Sequence, residues 1–324
     1  MISKPYHIPV MAKEVVKLLR GKERGIFVDA TIGAGGHTSI FLEELSPQMV
    51  IGIDRDPKSI QLCRERFKNE TRVKLFHANY SDMETIIKEI GLENVDAILI
   101  DAGISSFALE DSSRGLSFQI DGPLDMRMNP NDDEPLSYLL AKIEIQALSK
   151  ILKEYGDVPK HLRVAKVIID EHKKGRLKKV SDLVNVILKI FPAKNKLPDE
   201  VRQIFQALRI AVNKELFHLN KGLWAGLKIL SEGGIFVVIS FHSGEDRIVK
   251  SVFRLITHPL KEYSSDGFLK REIPPIAQNL TPKPLIPSKE EIQNNPRSKS
   301  AKMRSIQKMS NNYFEIFCSR GMMN

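Results

Sequence analysis

The sequence predicts an α/β protein built on a mostly parallel, doubly wound sheet with an inserted helical subdomain. Between residues 26 and 101, short apolar segments that end in aspartate alternate with segments of helical periodicity. A glycine-rich turn follows the first apolar segment, and residues 134–200 show helical patterns with no strand between them. Because strands that alternate with helices pair in parallel through right-handed crossovers, we expect one such sheet, interrupted by the helical insert.

Residues 25–37 contain the first strand and the glycine turn. Residues 26–28 are typical of a buried strand that Asp29 closes, and residues 38–45 have the periodicity of a helix. Between them, Gly33, Gly35 and Gly36 form a turn that a side chain would obstruct. A strand, a glycine turn and a helix in this order present backbone N–H groups to a ligand. The alternative is a tight strand-to-helix connection that binds nothing.

Acidic residues end two further predicted strands. Residues 49–53 lead into Asp54, about 20 residues past the glycines, where an acid can hold a pair of ribose hydroxyls. Residues 95–100 lead into Asp101. Ligands of doubly wound sheets bind where the strand order switches, so Asp29, Asp54 and Asp101 should converge there. Each could instead cap a helix, but three acids around one glycine turn favour a nucleoside-type cofactor.

The rest of the chain is predicted from the same patterns. Residues 15–19, 57–67 and 85–90 should be helical, and residues 72–76 and 235–240 should be the third and fifth strands. One long amphipathic helix should run from Pro198 until Gly233 and Gly234 stop it, and a further helix should begin at Glu245. We expect a loop at residues 274–300 and an edge strand at 313–318. The predicted domains are residues 1–133 with 201–324, and the insert 134–200.

Composition narrows the functional classes. The 324 residues carry a formal charge of +9, which favours a polyanionic partner, although basic proteins without one are common. Two distant cysteines exclude a cysteine zinc cluster and argue against a disulfide framework, so we expect a reducing cytoplasm. We predict no metal site, and no stretch approaches the length of a membrane span. Basic residues cluster in the insert (Lys160, Arg163, Lys166, Lys173, Lys174, Arg176, Lys178 and Lys179) and near the C-terminus (Arg297, Lys299, Lys302, Arg304 and Lys308).

Two further segments contain candidate functional residues. Residues 114–128 are more apolar than a solvated loop tolerates, which predicts an ordered lid in which Asp125 and Arg127 share one face of an extended segment. His242 follows the fifth strand at the carboxyl edge of the sheet. A lone histidine is usually structural, and Ser243, Glu245 or Asp246 could cap the next helix there.

Several common catalytic motifs are missing from the sequence. It contains no P-loop, no His-Glu-x-x-His, no Gly-x-Ser-x-Gly and no zinc-deaminase signature. Their absence disfavours P-loop nucleotide hydrolysis, the common metal hydrolases and serine hydrolysis.

The chain resembles the bacterial small-subunit ribosomal RNA (cytosine-N4) methyltransferases, the RsmH or MraW family, over nearly its whole length. The most specific match is the segment at residues 121–128, Asp-Gly-Pro-Leu-Asp-Met-Arg-Met, which follows Arg-Gly-Leu-Ser-Phe at 114–118. The other matching stretches are residues 7–10 (His-Ile-Pro-Val), 29–37 (Asp-Ala-Thr-Ile-Gly-Ala-Gly-Gly-His), 53–57 (Ile-Asp-Arg-Asp-Pro), 205–213 (Phe-Gln-Ala-Leu-Arg-Ile-Ala-Val-Asn), 239–243 (Ile-Ser-Phe-His-Ser) and 295–302 (Asn-Pro-Arg-Ser-Lys-Ser-Ala-Lys).

The resemblance implies a class I (Rossmann-like) methyltransferase fold with a helical domain inserted before the fifth strand. It implies S-adenosylmethionine as methyl donor and a decoding-centre cytosine of 16S rRNA, within the small ribosomal subunit, as acceptor. By matching position, Gly35, Gly36 and His37 would line the methionine end of the cofactor, and Asp54 would take the ribose. Tyr80 would lie beside the adenine, and Asp101 would follow the fourth strand, with Gly33 in the same turn.

The acceptor chemistry leaves the catalytic group open. The lone pair of a cytosine amino group is delocalised into the ring, so the enzyme must orient the group and accept its N–H hydrogen bonds. Asp101 or the hydroxyls of Ser105 and Ser106 are candidate acceptors, with Asp125 and His242 as second choices. The base must also leave its stack to reach the methyl group.

The chain departs from the family pattern at five positions, and two rival functions are disfavoured by its sequence. Ala102, Phe107, Ala108, Asn129 and Gly244 replace the usual residues, and Ala108 removes a glutamine that contacts the cofactor in the family. A nicotinamide oxidoreductase is disfavoured because the turn is Gly-x-Gly-Gly. A ribosome-assembly factor without turnover is disfavoured by the intact glycine turn with its acid. The sequence leaves the oligomeric state open, including a homodimer.

Overall fold

A computed structural model describes residues 8–131, 134–193 and 195–322. The chain divides into two compact units. The first unit combines the residues up to Gly103 with those from Phe217 onward, and the second comprises residues 104–216.

The strands and helices have the following bounds. The strands are β1 (Ile26–Asp29), β2 (Met49–Asp54), β3 (Val73–His77), β4 (Val95–Asp101), β5 (Leu230–Ser240), β6 (Leu260–Tyr263), β7 (Leu269–Ile273), β8 (Ala277–Asn279) and β9 (Lys302–Lys308). The helices are α1 (Ala12–Leu19), α2 (Gly36–Glu44), α3 (Pro57–Arg66), α4 (Met83–Glu89), α5 (Ser106–Glu110), α6 (Leu136–Lys142), α7 (Ile145–Gly156), α8 (His161–Lys173), α9 (Val180–Leu188), α10 (Asp199–Val212), α11 (Glu215–Ile229), α12 (Ser243–Thr257), α13 (Lys289–Asn294) and α14 (Phe314–Met322). Short 3₁₀ turns span Tyr80–Asp82 and Pro296–Ser300.

A seven-stranded sheet with the order β3-β2-β1-β4-β5-β9-β8 forms the centre of the first unit. Strands β1 to β5 pair in parallel, whereas β9 is antiparallel to β5 and to β8. The chain moves outward from β1 to β3 and then returns to place β4 beside β1, which creates a switch point between β1 and β4. The predicted Rossmann-like sheet is confirmed.

Both faces of the central part of this sheet are buried, which explains the almost continuous apolar runs of β1, β2, β4 and the second half of β5. Phe27 and Val28 are neighbours on β1, and they belong to the core clusters on opposite faces. One cluster includes residues of α4, α11, α12 and α14, and the other includes residues of α1 and α2. The sheet is therefore a rigid platform whose strand ends hold side chains in fixed positions.

The second unit is helical, with an apolar core of its own. The insert predicted at 134–200 lies inside this unit, which extends further at both ends. At its start, Leu124 and Met126 contribute to the core although they lie in irregular structure, and at its end Val201, Ile204 and Leu208 of α10 do so. The additional residues join the unit because they bury their apolar side chains in it.

The prediction of one long helix after Pro198 is wrong. Helix α10 ends at Val212, and α11 begins at Glu215. Between them, Lys214 adopts a left-handed backbone with φ of 49°, and the Asn213 side chain bonds to the backbone of Met126 and Met128. The apolar spacing runs through the break because both helices bury an apolar face, so periodicity alone does not reveal it.

The predicted end of this helix is also wrong. Gly233 and Gly234 lie inside β5, which begins at Leu230, directly after α11. Gly233 has φ of 77°, and the pairing of β5 with β4 changes register near its start. The two glycines thus mark an irregularity in a strand.

The C-terminal region differs most from the prediction. Residues 313–318 were expected to form an edge strand, but they contribute to α14, and the buried Phe314 and Phe317 follow helical spacing. Strand β9 has alternating charged residues that make it look like a surface segment. The part predicted as loop contains β8, α13 and a 3₁₀ turn, and the sequence analysis did not predict the β6–β7 hairpin.

Candidate functional site

The carboxyl ends of β1, β2 and β4 bring together the three aspartates that end them. Asp29 pairs in register with Gly52 of β2 and Leu99 of β4. Asp54 and Asp101 are the last residues of β2 and β4. All three lie at one edge of the sheet, on either side of the switch point where doubly wound sheets bind ligands.

The glycine turn joins β1 to α2 in a conformation that requires glycine at Gly35. This residue has φ of 79°, and a Cβ atom there would lie 2.5 Å from the ring of Phe67. Gly33 also has a positive φ, of 55°, and its N–H donates to Asp54 Oδ2 over 2.9 Å. Arg66 Nη1 donates to the carbonyl of Ala34 over 2.6 Å and holds the turn from the other side.

Asp54 is fixed by two backbone N–H groups. The N–H of Gly33 bonds to Oδ2, and that of Asp56 bonds to Oδ1 over 2.8 Å. Burial raises the pKa of Asp54 to about 6, and these two hydrogen bonds oppose the rise. Each oxygen has a further lone pair, so the carboxylate can accept more donors, such as a pair of hydroxyls.

His37 and Asp101 interact electrostatically at the same edge. His37 Nε2 lies 3.0 Å from the carbonyl oxygen of Val10, so the proton of the neutral ring is on Nε2. Burial lowers the pKa of His37 although the Asp101 charge opposes this, and burial raises the pKa of Asp101 to about 6. Thr31 Oγ1 accepts from the Asp101 N–H over 2.7 Å. Among the described residues, the buried Asp101 Oδ1 has no hydrogen-bond partner.

Asp29 has a different role from the other two acids. Its Oδ2 accepts from Thr38 Oγ1 over 2.7 Å, which ties the end of β1 to the first turn of α2. The residue is buried, and desolvation raises its pKa to about 6. Asp29 is not the N-cap of α2, which is Gly35, so it does not act as the helix cap considered for these aspartates but bonds to a side chain in the first turn.

Tyr80 lies in the 3₁₀ turn that follows β3. The Asn79 side chain accepts from the Ser81 N–H over 3.0 Å and caps this turn. The Tyr80 ring packs on α11, where a Cβ at Gly222 would lie 2.5 Å from it. A small residue in α11 thus makes room for an aromatic ring near the carboxyl end of β3.

Asp125 belongs to the second unit, where its carboxylate pairs with Arg127. Asp125 Oδ1 and Oδ2 accept from Arg127 Nε and Nη2, each over 2.8 Å. The extended segment predicted here is wrong at Met126, whose φ of 66° is left-handed. Met126 is fully buried, so the apolar residues of this loop are covered by the core of their own unit.

His242 follows β5 and is the N-cap of α12. Its Nδ1 accepts from the Glu245 N–H over 3.4 Å, while Glu245 Oε2 accepts from the N–H groups of Phe241 and His242. This reciprocal arrangement is a capping box, so the structural alternative describes the observed contacts of His242.

The two basic clusters differ in exposure. All eight basic residues named for the insert are exposed. In the C-terminal cluster, Arg304 is buried and paired with Asp246, and Lys308 is buried and donates to the carbonyls of Leu227 and Leu230, each over 2.7 Å. The interpretation of this cluster as a surface for phosphates is therefore wrong for Arg304 and Lys308, which hold β9 in the sheet.

The sequence analysis missed the residues that position the site. Val10, Thr31, Arg66 and Phe67 hold His37, Asp101 and the glycine turn. Most of these contacts join residues far apart in the chain, and a threonine or a phenylalanine has no local signal for such a role.

Comparison with known proteins identifies the family. Residues 4–309 match the family model described as the MraW methylase family. The chain belongs to this family. A ribosomal RNA small subunit methyltransferase H from Clostridium botulinum (strain Kyoto / Type A2) is 37% identical over 305 residues, which are 94% of this chain and 99% of the relative. The corresponding protein from Geobacter sulfurreducens is 38% identical over 314 residues, with the same coverage of both chains.

Family membership confirms three predictions. The chain is a methyltransferase, its fold is of the expected type, and S-adenosylmethionine is its cofactor. Among solved structures, an rRNA methylase from Streptococcus thermophilus aligns with a TM-score of 0.42 at 10% identity, covering 96% of this chain and 99% of that one.

Among the described residues, no helix combines the length and apolar character needed to cross a membrane.

The first testable prediction concerns the glycine turn. Gly35→Ala should destabilise the protein more than Gly91→Ala, because both glycines have similar φ but only Gly35 also faces the Phe67 ring. The left-handed backbone costs about 1–2 kcal/mol in either variant, and overpacking adds about 1–3 kcal/mol at Gly35. Thermal and urea unfolding measure both variants. Equal losses would show that Phe67 moves away without cost.

Proposed function

We propose that this methyltransferase transfers the methyl group of S-adenosylmethionine to the N4 amino group of a decoding-centre cytosine in 16S rRNA of the small ribosomal subunit. The names of the relatives support small-subunit rRNA as the substrate. The observation that carries the proposal is the buried Asp101 Oδ1 at the carboxyl end of β4, which, like Asp29 Oδ1 and His242 Nε2, lacks a hydrogen-bond partner among the described residues. An amino group that donates an N–H would satisfy this oxygen.

The residues at the sheet edge fit the cofactor. Asp54 has lone pairs for the ribose hydroxyls, and Tyr80 offers a ring to the adenine. Gly33, Gly35, Gly36 and His37 form the turn that would take the methionine end. When bound, S-adenosylmethionine supplies an electrophilic methyl group on a sulfonium. No metal ligand is required by this chemistry.

Asp101 would act on the substrate amino group. A carboxylate that accepts an N–H bond orients the amino group and increases the electron density on its nitrogen. It would also stabilise the positive charge that develops on N4 as the methyl group leaves the sulfonium sulfur for the nitrogen, and it would take up the proton that the methylated amino group then loses. Asp125 is a weaker candidate, because Arg127 occupies both of its oxygens. The capping box uses His242 Nδ1, whereas His242 Nε2 lies 3.2 Å from Glu245 Oε1 and has no hydrogen-bond partner among the described residues, so His242 stays a second choice.

The experiment that tests the proposal is methyl transfer followed by mapping of the modified nucleotide. Tritiated S-adenosylmethionine and small subunits from a deletion strain should give N4-methylcytidine at one decoding-centre position. Binding of subunits without methyl transfer would support the assembly-factor alternative. Methylation of another atom or of another RNA would refute the assignment of the target.

Asp54→Ala should weaken cofactor binding by about 1.5–3 kcal/mol, because hydrogen bonds to a charged group are lost. Calorimetry with S-adenosylmethionine measures the effect. The matched control is Asp96→Ala, since Asp96 also accepts a backbone N–H, that of Ile26 over 2.8 Å, but lies near the amino end of β4. Unchanged affinity in a folded Asp54→Ala protein would remove Asp54 from the cofactor site.

Turnover should fall as the pH drops through about 6, because the raised pKa of Asp101 means that its carboxylate is protonated below that value. A protonated carboxyl no longer carries the charge that stabilises the developing cation. Single-turnover rates at saturating S-adenosylmethionine separate this effect from cofactor binding. Asp101→Asn should slow transfer by about 10²–10⁴-fold and abolish this part of the pH dependence. An Asp101→Asn protein with full activity would exclude the role.

The exposed basic residues of the insert would contact RNA phosphates. Replacing Lys173, Lys174, Lys178 and Lys179 by alanine should raise the KM for subunits and flatten the salt dependence of binding, without changing cofactor affinity. The matched control replaces the exposed Lys68, Lys74, Lys88 and Lys261 of the first unit. If both quadruple variants show the same salt dependence, the insert does not bind RNA through these lysines.

A further inference from the structure

A cleft lies beyond the carboxyl end of β5, in the first unit. Its volume of about 360 Å³ falls within the range of small-ligand pockets, roughly 300–1,000 Å³. It is lined by Phe241, His242, Ser243, Ile286, Pro287, Ile292, Lys299, Ser300, Ala301 and Lys302. None of these residues has a role in the cofactor site proposed above, apart from His242 as a second-choice catalytic group.

The cleft combines an apolar wall with a cationic rim. Phe241, Pro287 and Ile292 provide apolar surface, and the Ile286 side chain is 68% exposed, which is unusual for an isoleucine. Lys299 is exposed at the rim, and Lys302 Nζ lies 3.6 Å from Asp246. Among the described lining residues there are two lysines and no carboxylate. This pairing suits a molecule with an aromatic face and an anionic group.

The anionic group would be held by the lysines and not by the helix that begins at the cleft. Helix α12 has Glu245 and Asp246 in its first turn, and these carboxylates oppose an anion at its N-terminus. Lys299 lies on the 3₁₀ turn at Pro296–Ser300, which is a different element from that helix. The cleft therefore has an apolar floor, and the lysines at its rim carry the positive charge that a phosphate would contact.

The cleft lies close to Asp101, the residue proposed to act in methyl transfer. Phe241 packs against Gly103, where a Cβ would lie 2.9 Å from its ring, and Gly103 follows Asp101 by two residues. A strand whose target base is turned out toward Asp101 must be held beside that base, and single-stranded RNA is bound by stacking on apolar or aromatic side chains and by phosphate contacts.

We propose that this cleft binds one nucleotide of the substrate RNA that flanks the methylated base, with the base against Phe241 and Ile286 and the phosphate at Lys299. The inference rests on the proposed function only in that the substrate is an RNA strand. It would make residues of the C-terminal segment determinants of which sequence context is methylated.

Photo-crosslinking tests the position of the bound nucleotide. A benzophenone side chain in place of Ile286 should crosslink to a nucleotide immediately flanking the methylated one, as mapped by primer extension on small-subunit RNA. The control places the same group at Phe268, which is 76% exposed on the β6–β7 hairpin and does not line the cleft. Crosslinks to a ribosomal protein, or to RNA far from the methylated nucleotide, would overturn the proposal.

Kinetics with matched variants test the phosphate contact. Lys299→Ala should raise the KM for subunits about fivefold and reduce the salt slope by about 0.7, the contribution of one single-strand phosphate, with unchanged cofactor affinity. Lys289→Ala removes an exposed lysine of α13 that does not line the cleft. If the two variants behave alike, Lys299 makes no such contact. If the methylated nucleotide proves not to be a cytosine and the crosslink still flanks it, the proposed target fails and the cleft assignment stands.

Discussion

The hydrogen bond from the Gly33 N–H to Asp54 Oδ2 joins the turn after β1 to the end of β2. The position of the glycine turn relative to Asp54 depends on this contact. It brings a flexible glycine segment and a strand-end acid into one fixed arrangement, and Arg66 and Phe67 hold the turn from the adjacent helix α3 and its end. Because the carboxylate is already held by backbone groups, binding a ligand there does not require the side chain to become ordered first.

The three strand-end aspartates, of which Asp29 is buried and Asp54 and Asp101 are half-buried, reduce the stability of the folded state. Burial raises the pKa of Asp29, Asp54 and Asp101 to about 6 each. The pKa values of these carboxyl groups in the unfolded chain lie near 3.8, so from a pH near 3.8 to a pH of about 6 the folded state binds more protons than the unfolded state. The free energy of unfolding therefore decreases as the pH rises through this range. Thr38 donates to Asp29 Oδ2, and the His37 charge opposes the rise in the pKa of Asp101, but Asp29 Oδ1 and Asp101 Oδ1 both lack a hydrogen-bond partner among the described residues.

The sequence predicted those parts of the molecule whose conformation is determined by residues close together in the chain. Strands β1 to β4 are short apolar runs closed by aspartate or bounded by turn residues, and the glycine turn carries its own conformational requirement. Strand β9 was missed because Arg304 and Lys308 look like surface residues, and only the distant Asp246 and the carbonyls of Leu227 and Leu230 explain their burial. The break between α10 and α11 has the same cause, since Asn213 bonds to a backbone segment more than eighty residues away.

The candidate catalytic residues also differ in contacts that the sequence does not show. Asp101, Asp125 and His242 are equivalent in sequence, as polar residues in segments that match one family. In the structure, Arg127 binds both oxygens of Asp125. The capping box with Glu245 uses His242 Nδ1 but leaves His242 Nε2 without a hydrogen-bond partner among the described residues, so the fold engages this histidine only in part. A group whose hydrogen-bonding capacity is used by the fold must break those bonds before it can act on a substrate, and that cost raises the barrier. Asp101 is held by its backbone, through Thr31, while its Oδ1 has no partner among the described residues, so it can accept a new donor without losing an existing bond.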